Sequence, residues 1–582
     1  MLGMRRKGTS AAVTAALALG LAGASTVANA ALSCAQLTSL TPEASTITSA
    51  ALVPANTTVN GVTPTVPFCR AQGTARPSGD SEIKFEVWLP ATAAAWTGRF
   101  KQNGTGGYAG ATPYARLAQD IGDGFVTSGS NMGHDGGESA TWTLGHPEKV
   151  KDWGLRAHYY VATAAKALTQ AYFDKPVAHS YFEGCSNGGR QAMMMAQNYP
   201  QLFDGIVAGA PSQFYPDVLF WLIWTGKVLT PVFGQPASIS AAKRTLVTQR
   251  VLEKCDAIDG LVDGQITNPR ACSFDIDSLG PNGDNSLTAT ELAAVKAMYA
   301  GTHNEVTGEQ RYSGAKFGSE AFFDPNFADN GGYGVFIGHY VYGVNWTAAQ
   351  WRDSANINFS SVYDHVKQFI SPVTAAPSPD ITEFVNRGGK LIQYAGWGDS
   401  VVPPDGSVAY FYALTQFEKL RNMPDKEFDR QIDKLKPQVV AANAQGFGRQ
   451  VQQYHRLFLA PAVSHCGGGT GPNAIGGGFP EPPAAYRDSD HHVVSAVIKW
   501  VEQGVAPEKI IATRFDASGN PTRSRPLCAY PAQAAYKGSG SINDAANFTC
   551  ETPKLQDRTV TDTDIVLIQN SLRQRDLKLP NR

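Results

Sequence analysis

The chain lacks an excess of charge of either sign. Its 49 Lys and Arg stand against 50 Asp and Glu, a formal net charge of −1 over 582 residues. With no basic excess to neutralise a phosphate backbone or to sit on anionic lipid, nucleic acid and membrane surface drop out as expected partners. After the first thirty residues no apolar run is long enough to span a bilayer. There is no internal repeat and no long low-complexity tract, so neither a solenoid nor a disordered chain is expected. What remains is 43% hydrophobic and 17% charged, enough for a large core or two domains. The 58 glycines and 35 prolines point to many turns.

The N-terminus is the exception to the missing apolar runs. Arg5-Arg6-Lys7 precedes an Ala/Leu-rich stretch from about Ala11 to Ala24, then the small-x-small site Ala28-Asn29-Ala30. This is the order of a secretory signal peptide over residues 1–30, cleaved after Ala30, and it predicts a secreted or periplasmic protein. Those thirty residues hold three basic groups and no acid, so the mature chain is more negative by three. Eight cysteines follow, an even count that in an exported protein predicts full pairing. Local spacing suggests Cys34–Cys69, Cys255–Cys272 and Cys528–Cys550, which leaves Cys185–Cys466.

That last pair flanks the residues that carry chemistry. Gly184-Cys185-Ser186-Asn187-Gly188-Gly189 contains G-x-S-x-G, the strand-to-helix turn that exposes a nucleophilic serine. Ser464-His465-Cys466 puts a histidine beside the partner cysteine. A disulfide between Cys185 and Cys466 would force Ser186 and His465 together. The context fits: Ser180 to Glu183 is a strand running straight into the turn, Gly188 to Gln197 a helix, and Gly205 to Ala208 the next strand. Lys390 to Ala395 is an apolar strand that ends at Gly398-Asp399, and Tyr454 to Ala460 another that ends before His465. The order Ser186, Asp399, His465 is that of an α/β-hydrolase, with Asp399 orienting the imidazole and His465 as base. Asp405 competes with Asp399 but lies six residues further from the strand. His134 precedes the serine and is expected to be structural; His491 and His492 begin a helix, Asp490 to Gln503, that Gly504 should cap. The oxyanion hole is assigned to the backbone N–H groups of Asn187 and Gly106, the latter in the loop Asn103-Gly104-Thr105-Gly106-Gly107. Further strands are expected at Ile83 to Leu89, an outer antiparallel one, and Gly124 to Thr127, and a helix over Trp153 to Ala171.

The fold class is therefore α/β, with a core formed by residues 31–212 and 386–582. A strand–helix unit needs only about 30 residues, yet 213 separate Ser186 from Asp399. Residues 213–385 are accordingly read as an inserted lid domain, rich in aromatics such as Phe214, Tyr215, Trp221, Phe336 and Trp351, most of which should form its own core. It includes Asp256-Ala257-Ile258-Asp259-Gly260-Leu261-Val262-Asp263-Gly264, three carboxylates in a short turn bracketed by Cys255 and Cys272. This is not EF-hand spacing, but hard oxygen donors so grouped suit Ca²⁺.

Taken together, Cys185-Ser186, Asp399, His465-Cys466, the acidic loop and the tail Arg525-Pro526-Leu527-Cys528-Ala529-Tyr530-Pro531 resemble the tannase and feruloyl esterase family, which includes a bacterial hydrolase of a terephthalate monoester. The resemblance implies an α/β-hydrolase core with a lid. It implies a structural Ca²⁺ held by the side chains of Asp256, Asp259 and Asp263 and the backbone carbonyls of Leu261 and Gln265. It also implies a small-molecule substrate in which an aromatic acid is esterified to an alcohol or sugar. The expected function is a secreted serine carboxylic ester hydrolase acting on hydroxycinnamic or related esters through an acyl-enzyme on Ser186. Galloyl ester and terephthalate monoester hydrolysis are alternatives; for the last, Arg352 is the nearest arginine that could grip a second carboxylate. An acyltransferase of the same fold and a non-enzymatic calcium-stabilised binding protein are the rivals.

Overall fold

A computed structural model describes residues 31–137, 139–553 and 560–575. The expected signal segment 1–30 lies outside them. The chain builds a nine-stranded sheet. In chain order the strands are β1 Ser45–Val53, β2 Phe68–Ala75, β3 Ile83–Pro90, β4 Arg99–Asn103, β5 Val126–Ser130, β6 His179–Cys185, β7 Gly205–Gly209, β8 Lys390–Gly396 and β9 His455–Ala460. In space the order is β1-β2-β3-β5-β4-β6-β7-β8-β9. The first joins are antiparallel and all those from β5 to β9 parallel. Strands buried on both faces read as continuous apolar runs rather than alternating ones. Thus Gly205–Gly209 is buried throughout, and so is Lys390–Gly396 except for its first residue.

The helices used below are α1 Tyr114–Gly122, α2 Ala157–Phe173, α3 Asn187–Asn198, α4 Tyr215–Leu229, α5 Ala241–Cys255, α6 Asp405–Leu420, α7 Val493–Gln503 and α8 Asp562–Arg573. Gly504, with φ 72°, caps α7 as expected. The helix expected from Asp490 begins only at Val493, with His492 as its N-cap accepting from Ser495 N, so neither His491 nor His492 is helical. Two strands shift as well. The strand foreseen at Gly124 begins at Val126, because Gly124 has φ 79° and closes a turn. The strand Ile83–Pro90 is antiparallel but not an outer one: the hairpin β1–β2 covers its edge, and Glu86, which alternation would send to solvent, is buried against Arg70, Gln72 and Trp88.

Register places the site. Cys185 lies beside Gly209, and Gly209 beside Tyr394. The carboxyl ends of β6, β7, β8 and β9 therefore open at one edge of the sheet, where ligands bind in such folds. Because β7 and β8 are hydrogen-bonded neighbours, the whole of residues 210–389 leaves the sheet and returns to the adjacent position. Its first helix, α4, is apolar almost all round and buried almost throughout. Trp221, Phe220, Phe336 and Trp351 are fully or almost fully buried. Phe220 packs on Phe359 and Tyr363 of the same region, but Phe336 meets Tyr108 and Trp153 and Trp221 donates to the Ser400 carbonyl, so the aromatics join one core shared with the sheet rather than forming a separate one. Arg270 ties it to the rest, donating to Asp564 of α8 at 2.8 Å and to Asp405 of α6. All eight cysteines are paired, in the arrangement local spacing suggested: Cys34–Cys69, Cys185–Cys466, Cys255–Cys272 and Cys528–Cys550. Among the described residues no helix is long and apolar enough to cross a membrane.

Candidate active site

Ser186 joins β6 to α3 with φ 63° and ψ −123°, a conformation that costs of order 1–3 kcal/mol for a residue with a side chain. The surroundings hold it there. Its N–H donates to the Gly209 carbonyl at 2.9 Å, and its own carbonyl accepts from Arg190 N at 3.0 Å, the first turn of α3. The glycines make room: a Cβ on Gly184 would lie 2.6 Å from the Gly188 carbonyl, and one on Gly189 2.3 Å from the Gly209 oxygen. The turn thus lifts the serine hydroxyl off the sheet edge.

His465 Nδ1 lies 2.7 Å from Asp399 Oδ2, which directs the Nδ1 proton to the carboxylate and leaves Nε2 for the substrate side. Asp399 is fully buried, and its other oxygen accepts from Val401 N at 2.9 Å and Val402 N at 2.8 Å. The acid is therefore fixed in orientation, with no Lys or Arg paired to it among the described residues. The Cys185–Cys466 disulfide, with Cα atoms 6.0 Å apart, ties the residue before Ser186 to the residue after His465. Ser186, His465, Cys466 and the 103–107 loop line one cavity of about 470 Å³.

The competing residues are engaged elsewhere. Asp405 meets Arg270, Lys316 and Ser313. His134 lies 2.7 Å from the Tyr108 carbonyl through Nε2 and stacks on Trp142 at 3.8 Å. Burial pushes its imidazole down to about 4. His491 pairs with Asp488, and His492 lies 3.2 Å from Glu481.

The glycine loop faces the elbow through a buried hydrogen-bond chain. Gln102 donates to His158 Nδ1 at 3.1 Å, so His158 Nε2–H donates to Gln191 Oε1 at 2.9 Å. The same Gln191 oxygen accepts from Thr105 N at 2.9 Å. From the other side Asn187 Nδ2 donates to the Thr105 carbonyl at 3.3 Å, and Arg190 Nε holds Asn187 Oδ1 at 2.6 Å. Arg190 is fully buried with no carboxylate beside it among the described residues. It rests on the Gly154 and Thr374 carbonyls and over the Trp153 ring at 4.6 Å, and burial pushes its guanidinium down to about 10. The N–H groups of Gly106, Gly107 and Asn187 donate to no acceptor among the described residues, so they are free to meet an oxyanion.

Sequence reasoning missed several of these residues. Arg190, Gln191 and His158 carry no motif, because their role depends on buried neighbours distant in sequence. Arg116 of α1 lines the cavity, paired with Glu481 and 4.0 Å from Glu183. From 213–385 the cavity receives Phe327 and Tyr333, whose rings stack at 5.9 Å and 20°. Nothing in the local sequence sets either apart from the aromatics of the same region that are buried in the core. Arg352, the arginine nearest to a carboxylate-gripping role, does not line the cavity. Its guanidinium is committed to Asp329 at 2.6 and 2.8 Å, to the Thr230 carbonyl and to the face of Trp351 at 4.1 Å.

In the acidic loop the three carboxylates turn to protein groups. Asp256 accepts from the amides of Asp263, Gly264 and Gln265 at 2.9–3.3 Å, Asp259 from Leu261 N and Thr267, and Asp263 from Gln265 N and Arg525. As arranged, no three acidic, His or Cys side chains among the described residues converge to hold a metal ion. The donor chemistry nonetheless suits a hard cation. Burial, with Asp256 and Asp259 close by, pushes the Asp263 carboxyl above its usual range against Arg525 and Arg523. The carbonyls of Leu261 and Gln265 accept no hydrogen bond among the described residues.

Sheet order, elbow and the acid–histidine pair together define an α/β-hydrolase. A family model for tannase and feruloyl esterase matches residues 69–551, and the chain belongs to that family. It is 37% identical over 552 residues to an uncharacterized esterase of Xanthomonas campestris pv. campestris, covering 90% of this chain and 92% of that one. It is 29% identical over 499 residues to a probable feruloyl esterase B-2 of Aspergillus terreus, covering 83% and 86%. Of solved structures, feruloyl esterase B from Aspergillus oryzae superposes with a TM-score of 0.74 at 25% identity, covering 89% of this chain and 99% of that one. The chain is a carboxylic ester hydrolase of the feruloyl esterase and tannase type.

Proposed function

We propose that the protein hydrolyses esters of aromatic acids, hydroxycinnamates foremost, through an acyl-enzyme on Ser186. The observation that carries this reading is the Ser186 elbow sharing a cavity with His465, whose imidazole is bonded to the buried Asp399. The Ser186 hydroxyl attacks the ester carbonyl as His465 Nε2 takes its proton. Asp399 stabilises the imidazolium, and the N–H groups of Asn187 and Gly106 meet the tetrahedral oxyanion. The intermediate expels the alcohol, which His465 protonates. Water then attacks the acyl-enzyme with His465 as base, and the acid leaves with Ser186 restored.

The acyl group follows from the walls. A cavity of about 470 Å³ suits a small ester. The stacked Phe327–Tyr333 pair offers a flat apolar face of the kind on which a planar ring buries. Arg352, bound to Asp329, gives no support to a grip on a second carboxylate. The test compares kcat/KM for methyl ferulate, a coumaroyl ester, a galloyl ester and a terephthalate monoester with methyl butyrate. Preference for hydroxycinnamoyl esters is expected; butyrate hydrolysed as well as all of them would leave a general carboxylesterase.

We further propose that Ca²⁺ binds the Asp256–Gln265 loop through the Asp256, Asp259 and Asp263 carboxylates and the Leu261 and Gln265 carbonyls. Its part is structural, fixing a loop whose Asp263 bonds to Arg523 and Arg525; no step of the hydrolysis passes through it. Four disulfides support export to an oxidising compartment, and recovery of the mature chain from medium or periplasm, beginning at Ala31, is the test.

A further inference from the structure

A second cavity, of about 630 Å³, lies between the inserted region and the core, lined by residues other than those of the Ser186 cavity. Its walls are mostly apolar. Leu252 of α5, Ile266 and Phe317 come from the insertion, and Trp397 from the turn after β8. Two arginines, Arg514 and Arg523, line it as well. They belong to a hairpin of β10 Lys509–Phe515 and β11 Pro521–Cys528 and stand directly opposite each other in its antiparallel register. Direct opposition puts both side chains on one face, where like charges repel.

Neighbouring acids relieve that repulsion only in part: the Asp263 carboxyl, which also lines the cavity, is attracted to Arg523 but is bonded to Arg525. Among the described residues neither guanidinium meets a carboxylate. Arg514 donates to the Gly469 carbonyl at 2.9 Å; Arg523 donates to Asn543 Oδ1 at 2.9 Å and the Asp263 carbonyl at 3.0 Å. The nearest carboxylate, that of Asp263, is taken by Arg525, two residues along the same strand face. Two half-buried cations hydrogen-bonded only to neutral oxygens, at an apolar aromatic cavity, select a ligand with an anionic head and a flat apolar body.

We propose that this cavity is a second ligand site, distinct from the Ser186 cavity, that binds an arene carboxylate. Its carboxylate bridges Arg514 and Arg523, and its ring lies among Trp397, Phe317, Ile266 and Leu252. The ligand class is read from these walls, not from the hydrolytic reading, and stands or falls separately from it.

The test uses 4-coumarate and its neutral amide on full-length enzyme whose Ser186 has been sulfonylated, with the adduct confirmed by mass, so that the catalytic cavity is filled. Titration calorimetry should show one coumarate bound per chain. The amide should bind about tenfold or more weakly, since the charge-assisted bonds are lost. Arg523→Gln should weaken coumarate binding by about as much. Leu252→Trp, which fills the cavity and leaves both charges in place, should abolish it; melting curves establish that each variant is folded. Absence of saturable binding to the sulfonylated enzyme, equal affinity for the amide, or binding untouched in folded Leu252→Trp would overturn the proposal.

Discussion

Replacing Cys185 and Cys466 together with alanine separates two effects of one bond. The first is thermodynamic. The cysteines are 281 residues apart, and closing a loop of that length stabilises by about 5–6 kcal/mol in the chain-entropy model. For a chain of this size that is roughly a 5 °C fall in Tm. The second effect is local. Without the disulfide, His465 keeps its 2.7 Å bond to Asp399, and its loop keeps the Gly398 N–H to Val463 carbonyl bond at 2.9 Å. Acid and base therefore stay together; what is lost is their tie to the elbow. A misplacement of about 1 Å between nucleophile and base costs on the order of 10² in rate. The expected result is kcat reduced about 10- to 100-fold at a temperature where both proteins are fully folded, with KM little changed. The assay is steady-state hydrolysis beside calorimetric melting. A variant that melts lower but turns over within about twofold of wild type would refute the positioning role and leave the bond purely stabilising.

Arg190→Met should release Asn187 Oδ1 and loosen the Thr105 loop; with the oxyanion donors misaligned, kcat should fall about 10²-fold while KM stays near its original value. A fall in stability with kcat unchanged would make Arg190 a packing residue only. Chelation of Ca²⁺ should lower Tm, restored by added Ca²⁺, without stopping turnover at once in the folded enzyme; no bound calcium and an unmoved Tm would reduce the loop to an acidic turn. The acid limb of stability should follow Asp405 and Glu481. Burial opposes ionisation of Asp405, but Lys316 and Arg270 hold its carboxyl well below the usual range; Glu481 is likewise lowered, against burial, by His492 and Arg116. Carboxyls depressed in the fold contribute fully above their unfolded values near 4, and that contribution is lost as pH falls toward the folded values. Burial holds the imidazoles of His134 and His158 down to about 4 and that of His455 to about 3, so the unfolded chain already binds more protons below about pH 6.5. Tm should therefore begin to fall below about pH 6.5 and fall further below about pH 4.5, the lower part less steeply in Asp405→Asn.

The central strands, the elbow and the Ser186–Asp399–His465 order were legible because each is written in local sequence: short apolar runs, glycines around a serine, acid and base just past strand ends. The disulfides were legible from spacing. The β1–β2 hairpin was not, since its polar outer face carries little periodic signal, and without it β3 reads as an outer strand with Glu86 in water. Arg190 was equally hidden. Nothing local distinguishes a buried arginine balanced by carbonyls and Trp153 from a solvated one on a helix. Phe327 and Tyr333 reach the cavity only through the path of residues 210–389, so an inventory of aromatics could not separate them from Trp221 or Trp351, which pack the interior. Arg352 shows the converse failure: a position that suits a ligand contact in sequence is spent on Asp329.

The nucleophile is tested most directly by quenching the enzyme in acid during turnover of an activated ester and mapping the covalent acyl group by mass spectrometry. The adduct should lie on the peptide containing Ser186, and Ser186→Ala, folded as wild type, should carry none and lose on the order of 10⁶ in kcat. An adduct on another residue, or Ser186→Ala turning over within about tenfold of wild type, would contradict the assignment.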